Sequence, residues 1–537
     1  MTSKAHLNQA IASHMVEIKA DEKPDQVIYI FEKGTHGEDI VTYRSLHDNA
    51  NKIARLLLDQ GLKSGDTFGV FMRNHPEFVY GLIAGTTMGA VMVPIDPRSR
   101  GDRLKFLLND SGVKAVFVSD ECLEQLEEVA AGVPSLKFIS VISKPEHGIP
   151  VTSKYHLLNE TVGKDTWAQV EQKIMDLQHP MQIIYTSGTT GDPKGVKIRN
   201  SRTGLFTIVT RLVWKYKPTD VLYNGLSLTH GNAQAVTLFP SMYMGFKAVF
   251  SSRFSKSRIW DICRKYGCTT FSLLGGMASG IYNEPPRPDD SENPVEVVIS
   301  AGTPVSIWEG FEKRFNVKIL EWYGSVEGGF AYKPIGQGPI GSFGKPVPGV
   351  MEFKIVDEND NDVPPGVRGE LICRMMKGET KVDYLGKPDA SKEKTRGGWL
   401  RSGDIVHRDE KGWYFFDFRK GTELRRSGDF IQPDYVEKVI GEHPDVSEVC
   451  VYGVPAASGA PGESDLVVAV SPFEGKTIDP AAIYEKCKKD LEANFIPSYL
   501  QVVDEIPKTI SEKALDRKLR EQFEKGEGSI YKYKDFK

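Results

Sequence analysis

A chain of 537 residues has room for one large and one small domain, or for three to four of average size. With 40% hydrophobic and 26% charged residues, 51 Gly and 31 Pro, it is neither a charge-driven disordered chain nor a collagen-like one. Lys+Arg number 68 against 72 Asp+Glu, a net charge of −4, so no global positive field can hold a nucleic acid or an anionic membrane. Any anionic ligand must be bound locally.

The first 25 residues are amphipathic and charged, with no apolar core and small-residue cleavage site, so no secretory leader is expected. Asp25–Phe31 reads as a strand. Tyr43–Gln60 places Leu46, Ile53, Ala54, Leu57 and Leu58 at helical spacing and stops before Gly61. Thr67–Met72, Val91–Ile95 and Ala115–Ser119 read as strands, with helices over Glu77–Met88 and Arg100–Ser111 between them. Such alternation predicts parallel sheet built from βαβ units. After about Pro334 the texture changes to short strands and turns, with Glu352–Val356, Gly369–Cys373 and Trp413–Phe418 as examples. From about Arg419 the chain restarts as a small α/β module. Helices are predicted over Tyr435–Gly441 and Ala481–Ala493, and strands over Ser447–Val454, Asp465–Val470 and Tyr499–Val503. Nowhere do 18 apolar residues run together, so no membrane-spanning segment is expected. Six scattered cysteines without a C-x-x-C pair read as buried thiols of a reducing cytoplasm.

The most informative stretch is Met181–Val196, an apolar strand running into Thr186-Ser187-Gly188-Thr189-Thr190-Gly191 and then Pro193-Lys194-Gly195. Its glycines let backbone N–H groups converge on an anion, and its hydroxyls and the Lys194 ammonium add donors. A polyphosphate suits that composition. The loop is not a Walker A motif, because Gly195 follows Lys194 and the G-x-x-x-x-G-K spacing is absent.

YTSGTTGDPKG resembles the signature loop of the adenylate-forming (AMP-binding) superfamily. Further segments resemble that family's motifs in order. They are Tyr323-Gly324-Ser325-Val326-Glu327, Arg401-Ser402-Gly403-Asp404, the hinge-flanking Arg419 with Ile431-Gln432-Pro433 beyond it, and Pro507–Lys513. The resemblance spans about Thr42 to Arg520. It implies an α/β body with a small β-rich subdomain over residues 1–418, a hinge at 419–421 with Gly421 at its centre, and a mobile α+β cap over 422–537. It also implies an acyl-CoA synthetase: carboxylate and ATP give an acyl-adenylate and pyrophosphate, and CoA then takes the acyl group. ATP and CoA are thus co-substrates, with Mg²⁺ as cofactor.

In that family's terms Glu327 is the Mg²⁺ ligand and Lys513, rather than Lys508 or Lys518, the catalytic cation. Asp404 takes the ribose hydroxyls from what reads as a tight Gly-Asp turn. Tyr323 offers a face to adenine, Trp322 beside it either joins the nucleotide site or turns into the core, and Ala301-Gly302-Thr303 form the opposite wall. Three departures stand out. Val326 replaces a threonine, leaving Ser325 as a candidate substitute; Glu512 replaces a glycine before Lys513; and Gly421 replaces a charged hinge residue.

Leu226–Val236 resembles the family's acyl-site segment, with His230 as its gate or a structural histidine and Asn232 beside it. Phe271–Tyr282 is the second wall, where Gly276 and Met277, with Gly302, leave space. No Asp or Glu occurs between Tyr223 and Ile259, which disfavours an amino-acid substrate and favours an uncharged hydrophobic monocarboxylate: alicyclic, aromatic or medium-chain. Arg425-Arg426-Ser427-Gly428 is either the CoA-facing loop or a solvated strand end. Seventeen residues follow Arg520, so no appended carrier domain is expected. The alternatives are an adenylation enzyme loading a separate carrier protein, a luciferase-like oxidative enzyme, or a non-catalytic nucleotide-binding module. A homodimer is the candidate assembly, and the cytoplasm the expected setting.

Overall fold

The computed structural model describes residues 7–144, 147, 155–186, 193–420, 424–426, 429–431, 433–457, 464–491, 495–509 and 514–536. Local chemistry sets the elements where it was expected to. Thr42 caps the helix Tyr43–Asp59 through a reciprocal box with Ser45, and Leu46, Ile53, Ala54 and Leu57 form its buried face. The next helix, Pro76–Met88, is buried along its whole length. The hydroxyls of Thr86 and Thr87 there donate to carbonyls one turn back, so no polar side chain is stranded.

Seven strands form the first sheet, in the order His156–Leu157, Phe138–Ile142, Ala115–Ser119, Thr67–Phe71, Val91–Ile95, Pro180–Thr186 and Lys194–Arg199. All neighbours run parallel except the last pair, an antiparallel ladder with Thr186 opposite Lys194. This is the expected βαβ architecture, with one exception. The first strand, Val27–Glu32, leaves that sheet. It pairs in parallel with Lys247–Ser251, placing Tyr29 opposite Ala248, and antiparallel with Glu38–Thr42.

The second sheet has thirteen strands. Its parallel part holds Val27–Glu32, Lys247–Ser251, Val221–Asn224, Thr270–Leu274, Val297–Ala301 and Lys318–Gly324. The β-rich stretch after Pro334 is no separate sheet. Its antiparallel strands continue the same ladder through Phe330–Lys333 and Ser342–Pro346 to Tyr414–Arg419, Leu400–Arg408, Gly369–Met375 and Met351–Val356.

A smaller C-terminal α+β domain follows. Its four-stranded sheet is ordered Val446–Pro455, Ser464–Pro472, Tyr499–Val502, Ser529–Lys532. It has its own apolar cores, in which Val436, Ile440, Val468, Tyr484 and Leu500 are buried. Among the described residues no helix is long and apolar enough to cross a membrane. All six cysteines are buried and free.

The long-range placement of Val27–Glu32 is fixed in part by Tyr29. Its ring is fully buried against Phe31 and Phe250, and its hydroxyl donates to the Leu238 carbonyl at 2.9 Å. Tyr29→Phe should cost about 1 kcal/mol in urea unfolding, the net worth of a buried hydrogen bond. Tyr29→Ala should cost roughly 3–5 kcal/mol. Equal, small losses in both variants would mean that this strand is not part of the core.

Candidate active site

The loops that follow parallel strands converge on one cleft, the usual place for ligands in an open α/β sheet. Strand Pro180–Thr186 brings Thr186, Val221–Asn224 leads to the Leu226–His230 segment, and Thr270–Leu274 ends at Gly275. Val297–Ala301 leads to Gly302 and Thr303, and Lys318–Gly324 to Ser325, Val326 and Glu327.

Glu327 sits at the junction of three elements. Its Oε1 accepts from the Thr186 hydroxyl at 3.4 Å and from the Tyr384 hydroxyl at 3.2 Å. Tyr384 is held there by its backbone, which bridges to Val196, while Leu385 N–H donates to the Gly195 carbonyl. The Lys194 ammonium lies 5.3 Å from the centre of the Tyr384 ring. Lys394, on the helix Pro388–Lys394, donates to the Ser402 carbonyl at 3.3 Å. Burial pulls its pKa down, against the attraction of Glu327 and, more weakly, of Asp404. Arg202 donates to the carbonyls of Val326 and Ser325, fixing the loop before Glu327. Ser325 Oγ donates to the Gly328 carbonyl at 2.8 Å and so closes its own turn; this does not supply the hydroxyl missing at Val326.

Asp404 does not lie in a tight turn. It sits within the strand Leu400–Arg408, whose pairing is irregular on both sides, and only Gly403 before it is left-handed, at φ +78°. That irregularity leaves Asp404 7% exposed, opposite Arg419 in the ladder. Its Oδ2 accepts from the Tyr323 hydroxyl at 2.5 Å, and its Oδ1 lies 3.7 Å from Arg419 Nε. Tyr323 stacks on Phe343 at 4.6 Å, 29° from parallel. Trp322, expected as a candidate nucleotide contact, is in the core instead. Adjacent residues of a strand point to opposite faces, and its indole packs edge-on against Trp214. Gly324, after Tyr323, has its own Cα against the Trp322 ring, where a Cβ would come within 2.8 Å.

The segment Ala301–Thr303 is shaped by a buried carboxylate that the sequence did not reveal. Glu321, 3% exposed, accepts from Gly302 N–H, from Thr303 N–H at 3.3 Å and from the Thr303 hydroxyl at 2.6 Å. Burial pushes its pKa up to about 7 against those hydrogen bonds and Lys333. Gly275 touches the same segment so closely that a Cβ there would lie 1.9 Å from the Gly302 carbonyl oxygen.

On the acyl side, Gly276 is exposed, but Met277 is buried in the main core rather than lining open space. Asn232 is also buried, its Oδ1 accepting from Ser272 at 2.5 Å. His230 Nδ1 accepts from Asn232 N–H at 3.1 Å. A Cβ on Gly231 would meet Val326 at 3.4 Å, so this segment abuts the Glu327 loop. In the small domain Arg426 donates to the Ile496 carbonyl, and Lys508 pairs with Glu448. Ser187, Gly188, Thr189, Thr190, Gly191, Gly421, Ser427, Gly428, Lys513 and the side chain of Arg425 lie outside the described residues. Lys394, Tyr384, Arg202 and Glu321 were missed. The first three reach the site from segments with no motif of their own, and Glu321 lies two residues before the Tyr323–Glu327 motif, outside its pattern.

Residues 16–378 match the AMP-binding enzyme family, and residues 435–513 match the AMP-binding enzyme C-terminal domain. The long-chain fatty acid transport protein 1 of Homo sapiens is 28% identical over 87% of this chain and 76% of its own. The crotonobetaine/carnitine–CoA ligase of Salmonella paratyphi A is 24% identical over 92% of this chain and 96% of its own. In fold, the chain is similar to an anthranilate CoA ligase in complex with anthranoyl-AMP, with a TM-score of 0.83 at 21% identity, covering 96% and 98% of the two chains. It is similar also to a benzoate CoA ligase from Burkholderia xenovorans LB400, with a TM-score of 0.80 at 20% identity over 95% and 99%.

Glu321 gives the site a pH dependence. A carboxyl whose pKa is raised on folding contributes stability at low pH that is lost as pH climbs through the folded value, here about 7. Glu321→Gln removes that loss. Measured by denaturant unfolding, its stability relative to the wild type should therefore rise by on the order of 3 kcal/mol between about pH 4.5 and 7.5. A pH-independent difference would show that Glu321 ionises like an exposed glutamate.

Proposed function

The chain belongs to the AMP-binding enzyme family and is an adenylate-forming acid–thiol ligase, and on that premise we propose that it is an AMP-forming acid–CoA ligase acting on an uncharged hydrophobic monocarboxylate. The observation that carries the reading is the convergence of two carboxylates with their partners at one cleft: Glu327 with Thr186 and Tyr384, and Asp404 with Tyr323 and Arg419. A nucleotide lying across it would set its ribose on Asp404 and its adenine against Tyr323 and Ala301–Thr303. Its phosphates would lie toward Glu327 and the signature loop, residues Thr186–Gly191 and Lys194.

In the first step a carboxylate oxygen attacks the α-phosphorus and the P–O bond to pyrophosphate breaks. In the second, the CoA sulfur attacks the acyl carbon and AMP departs with the electrons of the C–O bond. Two anions meet in the first step, so fixed positive charge must be aimed at the α-phosphate. Lys513 is assigned that role, and Lys394 and Arg419 keep the nearby carboxylates from adding to the repulsion. The hydroxyl and carboxylate oxygens around Glu327 suit a hard cation. Mg²⁺ held by Glu327 would neutralise phosphate charge. Residues 1–418 would bind ATP and acid. The cap, 422–537, would turn about 419–421 between the steps and bring Arg425–Gly428 toward CoA.

The acid is assigned from the pocket's chemistry. No acidic residue lies between Tyr223 and Ile259, and three amide side chains there bond to neighbouring protein groups, while the Asn232 amide nitrogen is buried without a partner. Asn224 donates to Thr237, Asn232 accepts from Ser272, and Gln234 bonds to Gln182 and the Leu228 carbonyl. No carboxylate is left in that stretch to pair a cationic acyl body. Relatives named for aromatic and fatty acids support the same class, whereas the crotonobetaine/carnitine relative is named for acids that carry a quaternary ammonium. The buried, free cysteines suit a cytoplasmic setting.

Pyrophosphate release should be stimulated by aromatic, alicyclic or medium-chain acids, with thioester appearing only when CoA is added. No stimulation by any such acid, or transfer to a carrier protein but not CoA, would overturn the reading. Lys513→Ala should lose roughly 10²–10³ in adenylate formation. Given synthetic acyl-adenylate, it should still acylate CoA. Equal loss of both steps in a folded variant would contradict the division of labour.

A further inference from the structure

Three adjacent parallel strands, Phe138–Ile142, Ala115–Ser119 and Thr67–Phe71, end in loops that bring together His147, Glu121 and His75. The place is topologically special. From Thr67–Phe71 the chain moves to Val91–Ile95 on one side, then crosses back to Ala115–Ser119 on the other and continues outward to Phe138–Ile142. The crevice between Thr67–Phe71 and Ala115–Ser119 is therefore a switch point of an open sheet, where connections diverge and leave room for a ligand.

We propose that His75, His147 and Glu121 form a binding site for a divalent metal of the zinc class, separate from the proposed nucleotide site. One ligand atom from each lies within 4.8 Å of the others. Two of these atoms are buried with no hydrogen-bond partner. His75 is 3% exposed with its Nε2 unpartnered, and Glu121 Oε1, also unpartnered, lies 4.0 Å from it. Burying such groups without a protein partner is costly, and a metal satisfies both at once.

The surrounding contacts aim the ligands. Arg73 Nε forms an ion pair with the other Glu121 oxygen at 2.9 Å. Asp120 Oδ1 lies 2.5 Å from His147 Nδ1, the carboxylate–histidine arrangement that fixes the tautomer and leaves Nε2 for a metal. Asp120 is itself anchored by the N–H groups of Glu121 and Lys144. Arg73, Lys144 and Lys33 face Glu121, Asp120, Glu77 and Asp39, and the Lys144 ammonium is engaged by Glu77 at 2.8 Å. Two imidazoles and one carboxylate select zinc-like ions over Mg²⁺ or Ca²⁺ and leave a fourth position for water. Tetrahedral coordination at about 2.0–2.1 Å needs the ligand atoms to draw together by at most about 1.5 Å. Asn74, next to His75, bonds the Leu226 and Ser251 carbonyls and Leu228 N–H, so the site is tied to the segment leading to His230.

The test is titration of the chelator-treated full-length protein with Co²⁺, read by visible absorption, followed by displacement with Zn²⁺. One equivalent should bind with the intense bands of a tetrahedral site, and Zn²⁺ should abolish them and raise the unfolding temperature. Asp120→Asn should weaken the affinity roughly 10–100-fold, and His147→Ala should abolish the bands. His75→Ala should do the same; should it fail to fold, Glu121→Gln takes its place, with the same loss expected. No tetrahedral spectrum in the wild type, or unchanged bands in folded His147→Ala and Glu121→Gln, would overturn the proposal.

Discussion

Two anions can be brought into bonding contact only where their repulsion is cancelled locally, and a chain of net charge −4 has no general field to do it. Each acidic group in the cleft is accordingly matched by donors rather than left to add its charge. Glu327 takes two hydroxyls, Asp404 a hydroxyl and a guanidinium, and Glu321 a hydroxyl and two amides. Arg202 and Lys394 spend their donors on backbone carbonyls of the loop and strand that carry those acids. Cations in this cleft thus act as much by fixing backbone as by opposing charge.

The fold was legible where neighbours in sequence are neighbours in space. The alternation from Thr67 to Ser119 predicts the parallel strands because each βαβ unit closes within about fifty residues. Val27–Glu32 shows the limit. Its period and composition mark it as a strand, but its partner begins at Lys247 and nothing local distinguishes the two sheets. The stretch after Pro334 shows another. Gly- and Pro-rich texture marks short antiparallel strands, yet it does not tell whether their ladder ends or runs on into the parallel sheet, as it does through Phe330–Lys333.

The site divides the same way. Motif segments carry Thr186, Glu327 and Asp404 because the backbone geometry around an anion constrains several successive residues. Tyr384, Lys394 and Arg202 are single side chains arriving from elsewhere, with no such neighbours to mark them, and Glu321, though next to the Tyr323–Glu327 motif, is no part of its pattern. One ambiguity could have been resolved beforehand. Trp322 and Tyr323 are consecutive in a strand, so only one can face the cleft, and the smaller, polar-tipped ring is the one that can pair with Asp404. The Gly403-Asp404 pair could not. A glycine before an aspartate reads as a turn, and only the ladder reveals an irregular strand.

The central claim is that one cleft holds the nucleotide between Asp404 and Glu327. A crystal structure of the full-length protein with Mg²⁺ and a non-hydrolysable ATP analogue tests it most directly. The account predicts ribose hydroxyls on Asp404, adenine between Tyr323 and Ala301–Thr303, and a cation shared by Glu327 and phosphate oxygens. A nucleotide bound elsewhere, or one that leaves Asp404 and Tyr323 untouched, would contradict it.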